Sequence, residues 1–174
     1  LEVMKISWPA TAQTLIFTAI SMVIAKLVIE FGTDAIATQK IGIQIESIEL
    51  KKYAIRVKMP LTRQNRNIVG VHFGGSLYSM VDPFYMLLLM HHLGPRYIVW
   101  DKAADITFLA PGRGTVYAHI QLSAGEISKI KDLAEDHAPI HRQYSLNIVD
   151  DAGTRIAEVK KTLYIRLKKT KALT

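Results

Sequence analysis

Residues 67–94 read NIVGVHFGGSLYSMVDPFYMLLLMHHLG, and this stretch decides the fold. From Gly74 onward the pattern is helical and apolar on nearly every side, stopping at Gly94-Pro95. A helix of that kind needs broad cover, and period-two segments lie on both sides of it. Upstream, Ile41, Ile43 and Ile45 alternate with Gly42 and Gln44. Then Tyr53, Ile55, Val57 and Met59 alternate with Lys52, Ala54, Arg56 and Lys58, up to Pro60. Downstream, 97–109, 115–122, 143–149 and 154–167 read as strands, with turns at 110–114 (APGRG) and 150–153 (DDAG). Residues 126–136 read as a short amphipathic helix. One long apolar helix with about six strands around it predicts an α+β domain in which a curved antiparallel sheet wraps a central helix.

At 174 residues the chain suits one domain, large enough to bury about 70% of its unfolded surface. Hydrophobic residues make up 49% and charged residues 21%, the balance of a globular protein. No cysteine is present, which excludes a disulfide framework, a thiolate nucleophile and a cysteine zinc site. The net charge of +7 favours an anionic partner. The aromatic and basic motifs of common nucleic-acid folds are missing, so no nucleic-acid partner is expected. The one dense basic cluster, Arg166, Lys168, Lys169 and Lys171, reads as a solvated tail.

Residues 1–36 are expected to form a helical extension and residues 37–174 the domain proper. Leu15 to Phe31 is short for a membrane span and carries Lys26 and Glu30. Ile16, Ile20, Val23 and Leu27 form one stripe, while Phe17, Ile24 and Val28 make another side apolar, a pattern that suits packing within an oligomer. No membrane contact is expected, and the location is expected to be cytoplasmic.

Two features of the central stretch carry chemistry. Gly74 and Gly75 stand at the helix front, where unsatisfied N–H groups and partial positive charge collect. Glycines there let a carbonyl or phosphate oxygen approach the backbone, as oxyanion stabilisation requires, and they equally permit tight packing against a strand. Asp82 lies seven residues on, amid apolar neighbours and directly before Pro83. A carboxylate in an apolar setting suits a general base or a nucleophile. Pro83 frees the Ser79 carbonyl and disfavours helical geometry at Asp82, so a bend is expected there. Gly75 and Asp82 share a helix face but lie roughly 10 Å apart along the axis. One helix therefore cannot easily serve one carbonyl with both, whereas two antiparallel copies can, with Gly75 of one facing Asp82 of the other.

These residues resemble the hotdog-fold acyl-CoA thioesterases, in particular the phenylacetyl-CoA thioesterase-like group. That group carries an Asn-x-x-Gly-x-x-His-Gly-Gly run followed by an acidic residue on the long helix. Here Asn67, Gly70, Gly74 and Gly75 match, and Asp82 falls at the acidic position. The resemblance covers roughly residues 40–167, and the HFGGSLYSMVDPFY and FLAPGRG wording is closer still to an uncharacterised thioesterase-like branch. It implies a homodimer or a dimer of dimers with sites between subunits, acting on an acyl-CoA or acyl-carrier thioester. The Gly75 amide would polarise the thioester carbonyl, Asp82 of the partner would attack it or activate water, and Asn67 would orient water or carbonyl. No metal or cofactor is implied, coenzyme A being part of the substrate. There is one departure: Phe73 stands where the family has its histidine, and His72 lies one residue earlier, where it could take over the task of fixing the glycine loop. This bears on catalysis more than on fold.

Other candidate substrate contacts are Gly74, His72, Phe73 and Ser79, with Arg66 and Arg113 for the phosphates of coenzyme A. Tyr78 and Tyr85 suit the core or an acyl tunnel, and Leu87 and Met90 could shape an acyl pocket. Adjacent His91 and His92 make a poor metal pair, and Pro139 breaks the spacing of His137 and His141. Two alternatives remain: a non-catalytic acyl or acyl-CoA binding module, favoured by Phe73, and a hotdog hydratase or dehydratase, which would need a working histidine.

Overall fold

The computed structural model describes residues 42–169. The expected N-terminal extension, together with Ile41 and Lys171, lies outside those residues. Six antiparallel strands, β1 (Gln44–Glu49), β2 (Ala54–Met59), β3 (Tyr97–Phe108), β4 (Val116–Gln121), β5 (Ile140–Asp150) and β6 (Arg155–Leu167), form one sheet. Its order is β1-β2-β4-β5-β6-β3, so β1 and β3 are the edges. Among the described residues three α-helices accompany it: α1 (Gly74–Ser79), α2 (Phe84–Leu93) and α3 (Ala124–Leu133).

The α+β expectation holds, with two adjustments. The first strand begins at Gln44, and Gly42 takes a left-handed φ of +74°, outside extended geometry. The central helix is two helices. Residues 80–83 form turns, with Val81 N–H and Asp82 N–H both donating to the Tyr78 carbonyl, and α2 restarts after Pro83. The bend expected from Pro83 is thus a full interruption, and it sets Asp82 at a chain corner rather than on a helix flank. At the far end, Gly94 (φ +81°) stops α2 as the sequence requires.

Alternation along the strands explains the core. Val57, Met59, Val116, Ala118, Ile120, Leu146, Ile148, Val159, Leu163 and Ile165 point to one face of the sheet. Against them pack Leu77, Met80, Val81, Phe84, Tyr85, Leu88, Leu89 and Leu93 from α1, α2 and the corner between them. Tyr85 spans this layer, stacking on Tyr144 with ring centroids 4.8 Å apart and donating to the Ser145 carbonyl; burial pushes its phenol pKa up to about 12. Leu87 and Met90 are half-buried and pack against the same core. Helix α3 starts at a Ser123 cap, whose hydroxyl accepts from Glu126 N–H, and Arg142 on β5 clasps the Glu126 carboxylate through two 2.8 Å bonds.

The β5–β6 turn falls at 150–153 as read. Asp150 Oδ1 accepts from Ala152 and Thr154 N–H, and Gly153 supplies a φ of +79°. Along β3 and β6 the register slips by one residue between Asp101 and Ala103. That bulge at Lys102 lets Asp101, opposite Leu163, and Ala104, opposite Lys161, face the same side of the sheet.

Leu88 is 1% exposed beneath the sheet. Leu88→Ala is expected to lower the free energy of unfolding by about 2–5 kcal/mol, read from urea midpoints. A loss below about 1 kcal/mol would contradict the packing described.

Candidate active site

The glycine front of α1 opens on a cleft of about 770 Å³, lined by Asn67, Val71, His72, Phe73, Gly74, Gly75, Leu77 and residues 108–112. The loop leading into it is tied at several points. The Asn67 carboxamide oxygen accepts from Val69 and Val71 N–H, and Gly70 N–H donates to the Asn67 carbonyl. Gly70 sits at φ +85°, which closes this turn. His72 N–H donates to the Gly112 carbonyl, and His72 Nε2 lies 2.9 Å from the Gly114 carbonyl. Phe73 N–H donates to Asn65. The segment before the glycines is therefore strapped between residue 65 on one side and 112–114 on the other.

His72 is 3% exposed. Its bond to Gly114 makes Nε2 the protonated nitrogen, and Nδ1 has no hydrogen-bond partner among the described residues. Burial pulls its pKa down, partly countered by the Gly114 carbonyl. The ring braces the loop in neutral form. Phe73, at the position where a histidine was expected, is 57% exposed at the cleft wall.

Both readings of the glycine pair find a counterpart here. A Cβ on Gly74 would lie 2.6 Å from the Phe108 ring tip, and one on Gly75 would lie 2.5 Å from Phe73 Cε1. Aromatic edges thus cover both α-carbons. The Gly74 and Gly75 N–H groups meet no acceptor among the described residues and stay available to a guest oxygen.

Asp82 does not line this cleft. It sits at the corner between α1 and α2 in a cluster of its own. Tyr78 OH donates to Asp82 Oδ1 at 2.5 Å, and Lys161 Nζ on β6 donates to the same oxygen at 2.7 Å and to the Asp82 backbone carbonyl. Lys161 Nζ also reaches Asp101 Oδ1 on β3 at 2.8 Å and lies 5.6 Å from the Tyr78 ring centroid. The lysine side chain is fully buried, while the side chains of Asp82 and Asp101 are 42% and 28% exposed. The apolar setting expected for Asp82 is corrected: the carboxylate is half-exposed and ion-paired. Burial raises the Asp101 pKa against the pull of Lys161, with Asp82 adding to the rise, and burial followed by the bond to Asp82 holds the Tyr78 phenol protonated.

Of the residues singled out from sequence, Asn67, His72, Phe73, Gly74 and Gly75 meet at the cleft. Arg66 and Arg113 are exposed neighbours of its lining residues, and Ser79 Oγ donates to the Gly75 carbonyl. Lys161, Asp101 and the role of Tyr78 were missed. A signal did exist: Lys161 occupies the inward period-two position between Val159 and Leu163, and Asp101 follows Tyr97 and Val99 in the same phase. Charge on the buried phase of a strand is costly unless paired.

The profile of a family described as a domain of unknown function, DUF4442, matches residues 29–165. The chain belongs to that family. No curated protein matches it. Among solved structures, the DUF4442 chain resembles PA5026 from Pseudomonas aeruginosa, a protein of unknown function described as a probable thioesterase. They share 21% identity over 82% of this chain and 92% of that one, at a TM-score of 0.68. The thioesterase HI1161 from Haemophilus influenzae matches at 17% identity over 78% and 85%, TM-score 0.57. The PaaI protein of the E. coli phenylacetic acid degradation operon matches at 22% over 78% and 86%, TM-score 0.54. The fold shared with these structures is the hotdog fold.

Two stability predictions follow from the site. Removing both carboxylates with Asp82→Asn plus Asp101→Asn leaves Lys161 buried without an anion and should cost about 3–5 kcal/mol. Each single change keeps one partner and should cost clearly less in the same urea series; equal losses from singles and double would contradict the pairing. For His72, the unfolded chain binds a proton that the folded chain resists. Stability is therefore full above the unfolded value of about 6.5 and falls as pH drops below it. His72→Gln should flatten that acid-side decline, and an unchanged slope would count against the buried neutral ring.

Proposed function

We propose that the protein hydrolyses an acyl-CoA thioester at a site shared between two subunits. In this reading the cleft at Gly74 and Gly75 takes the thioester carbonyl, with the Gly75 N–H polarising it. Asp82 of the partner attacks the carbonyl or activates water. The Asn67 amide nitrogen, which has no partner among the described residues, is available to orient that water. Arg66 and Arg113, exposed beside the cleft, are candidates for the phosphates of coenzyme A. His72, Phe73 and Gly74 would contact the acyl thioester from the cleft wall.

The observation that carries this reading is the arrangement along the edge strand β3. Phe108 on β3 covers Gly74 at the cleft, and Asp101 on the same strand joins the Asp82 cluster. A 12-residue strand paired on one side only among the described residues is a template for a second chain. When two copies pair antiparallel through β3 about a point midway between these residues, Asp101 of one comes opposite Phe108 of the other. The Asp82 of each copy is then carried toward the partner's glycine cleft. Exposed Trp100 and Phe108 on β3 fit burial in such an interface.

Free-thiol release from short, medium, long and aromatic acyl-CoAs tests the proposal. Wild type should turn over at least one class, and Asp82→Asn should lose about 100-fold or more in kcat while keeping its oligomeric state. Equal background from both proteins across the panel, with acyl-CoA still raising the melting temperature, would replace hydrolysis by binding alone.

A further inference from the structure

Resting on the thioesterase reading of Asp82, we propose that Lys161 is a positioning residue that fixes the Asp82 carboxylate by one oxygen and leaves Oδ2 as the acting atom. An ammonium has three N–H donors. Lys161 spends them on the Asp82 backbone carbonyl, Asp82 Oδ1 and Asp101 Oδ1. Fully buried and fully donated, it has nothing left for substrate, which separates it from a catalytic lysine. The backbone contact holds the α1–α2 corner, and the side-chain contact holds the rotamer.

Tyr78 reinforces the choice of oxygen. Its hydroxyl donates to Oδ1 as well, one helical turn before Asp82. Both internal donors therefore converge on one oxygen, and Oδ2 has no hydrogen-bond partner among the described residues while the side chain stays 42% exposed. A carboxylate anchored by one oxygen and open at the other is oriented for attack or for taking a proton from water. The charged and titratable groups that face it are Tyr78 from α1, Lys161 from β6 and Asp101 from β3.

Asp101 is the counterweight. It accepts one donor of Lys161 and so keeps the ammonium from folding wholly onto Asp82, but its own charge opposes charge on Asp82. Removing the lysine therefore frees the Asp82 rotamer, whereas removing Asp101 leaves both Lys161 contacts to Asp82 in place. A cluster that served only to join β3, β6 and the corner would lose stability in either variant without a kcat loss specific to Lys161.

Kinetics on the best-cleaved acyl-CoA test this, with the fold and oligomeric state of each variant verified first. Lys161→Met should lower kcat about tenfold or more with KM held within about twofold, and Asp101→Asn, which keeps both Lys161 contacts to Asp82, should lose clearly less. A folded Lys161→Met oligomer with the kcat of wild type overturns the proposal, as does an equal kcat loss in Asp101→Asn. Should Lys161→Met fail to fold, Tyr78→Phe decides, since it removes the other donor to Oδ1 and should lower kcat with KM held within about twofold; an unchanged kcat there overturns the proposal. Absence of thiol release from wild type would instead overturn the hydrolase reading on which the proposal rests.

Discussion

A lysine ammonium with no exposed surface, held between Asp82 and Asp101, is the contact on which the rest of the structure turns. Moving an ammonium out of water costs several kcal/mol, and the attraction of two partly exposed carboxylates offsets that cost only if their geometry is kept. Three elements are bound by the requirement. β6 must carry Lys161 on its buried phase, β3 must bring Asp101 to the same face, and the α1–α2 corner must turn a carbonyl and a carboxylate toward Nζ. The bulge at Lys102 and the interruption before Pro83 are the local departures from regular structure that allow this. Both lie beside the cluster.

Most of the fold was legible in the sequence because it obeys two periods. The strands announced themselves through alternation, and the 150–153 turn through its Asp and Gly residues, whose side-chain bond and positive φ do what their types imply. The edges of elements were less legible. Gly42 could pass as an outward position in an alternating strand until its left-handed φ was known, and Pro83 signalled a bend without saying that α2 would restart afresh. The glycine pair and Asp82 stood out as chemistry. Lys161 did not, because Lys160-Lys161 reads as an ordinary solvated pair unless each residue is assigned its phase. Only the neighbours Val159 and Leu163 reveal that one of the two is buried.

The cleft and the Asp82 cluster, joined in the proposed site, rest on different physics. The cleft half is built from backbone: His72 and Asn67 tie down a loop whose glycine N–H groups are left over, and Phe73 and Phe108 screen the bare α-carbons. The carboxylate half is built from charge, at a corner that a single chain does not bring to the cleft. Edge strand β3 touches both, through Phe108 at one end and Asp101 near its middle. An edge strand with that composition supports the proposal that two copies, rather than one, bring the cleft and the carboxylate together.

Subunit complementation tests the proposed shared site most directly. Gly75→Pro removes a first-turn N–H and sets a ring against Phe73, whose Cε1 would lie 2.5 Å from a Cβ there, so it disables the cleft of its own chain; Asp82→Asn removes the carboxylate. Each variant alone should release no thiol above background. Co-assembled from a mixed, refolded population, they should regain turnover, because a mixed dimer joins the intact Gly75 of one chain to the intact Asp82 of the other. Mixed dimers, verified by mass, that stay as inactive as their parents would contradict a site shared across the interface.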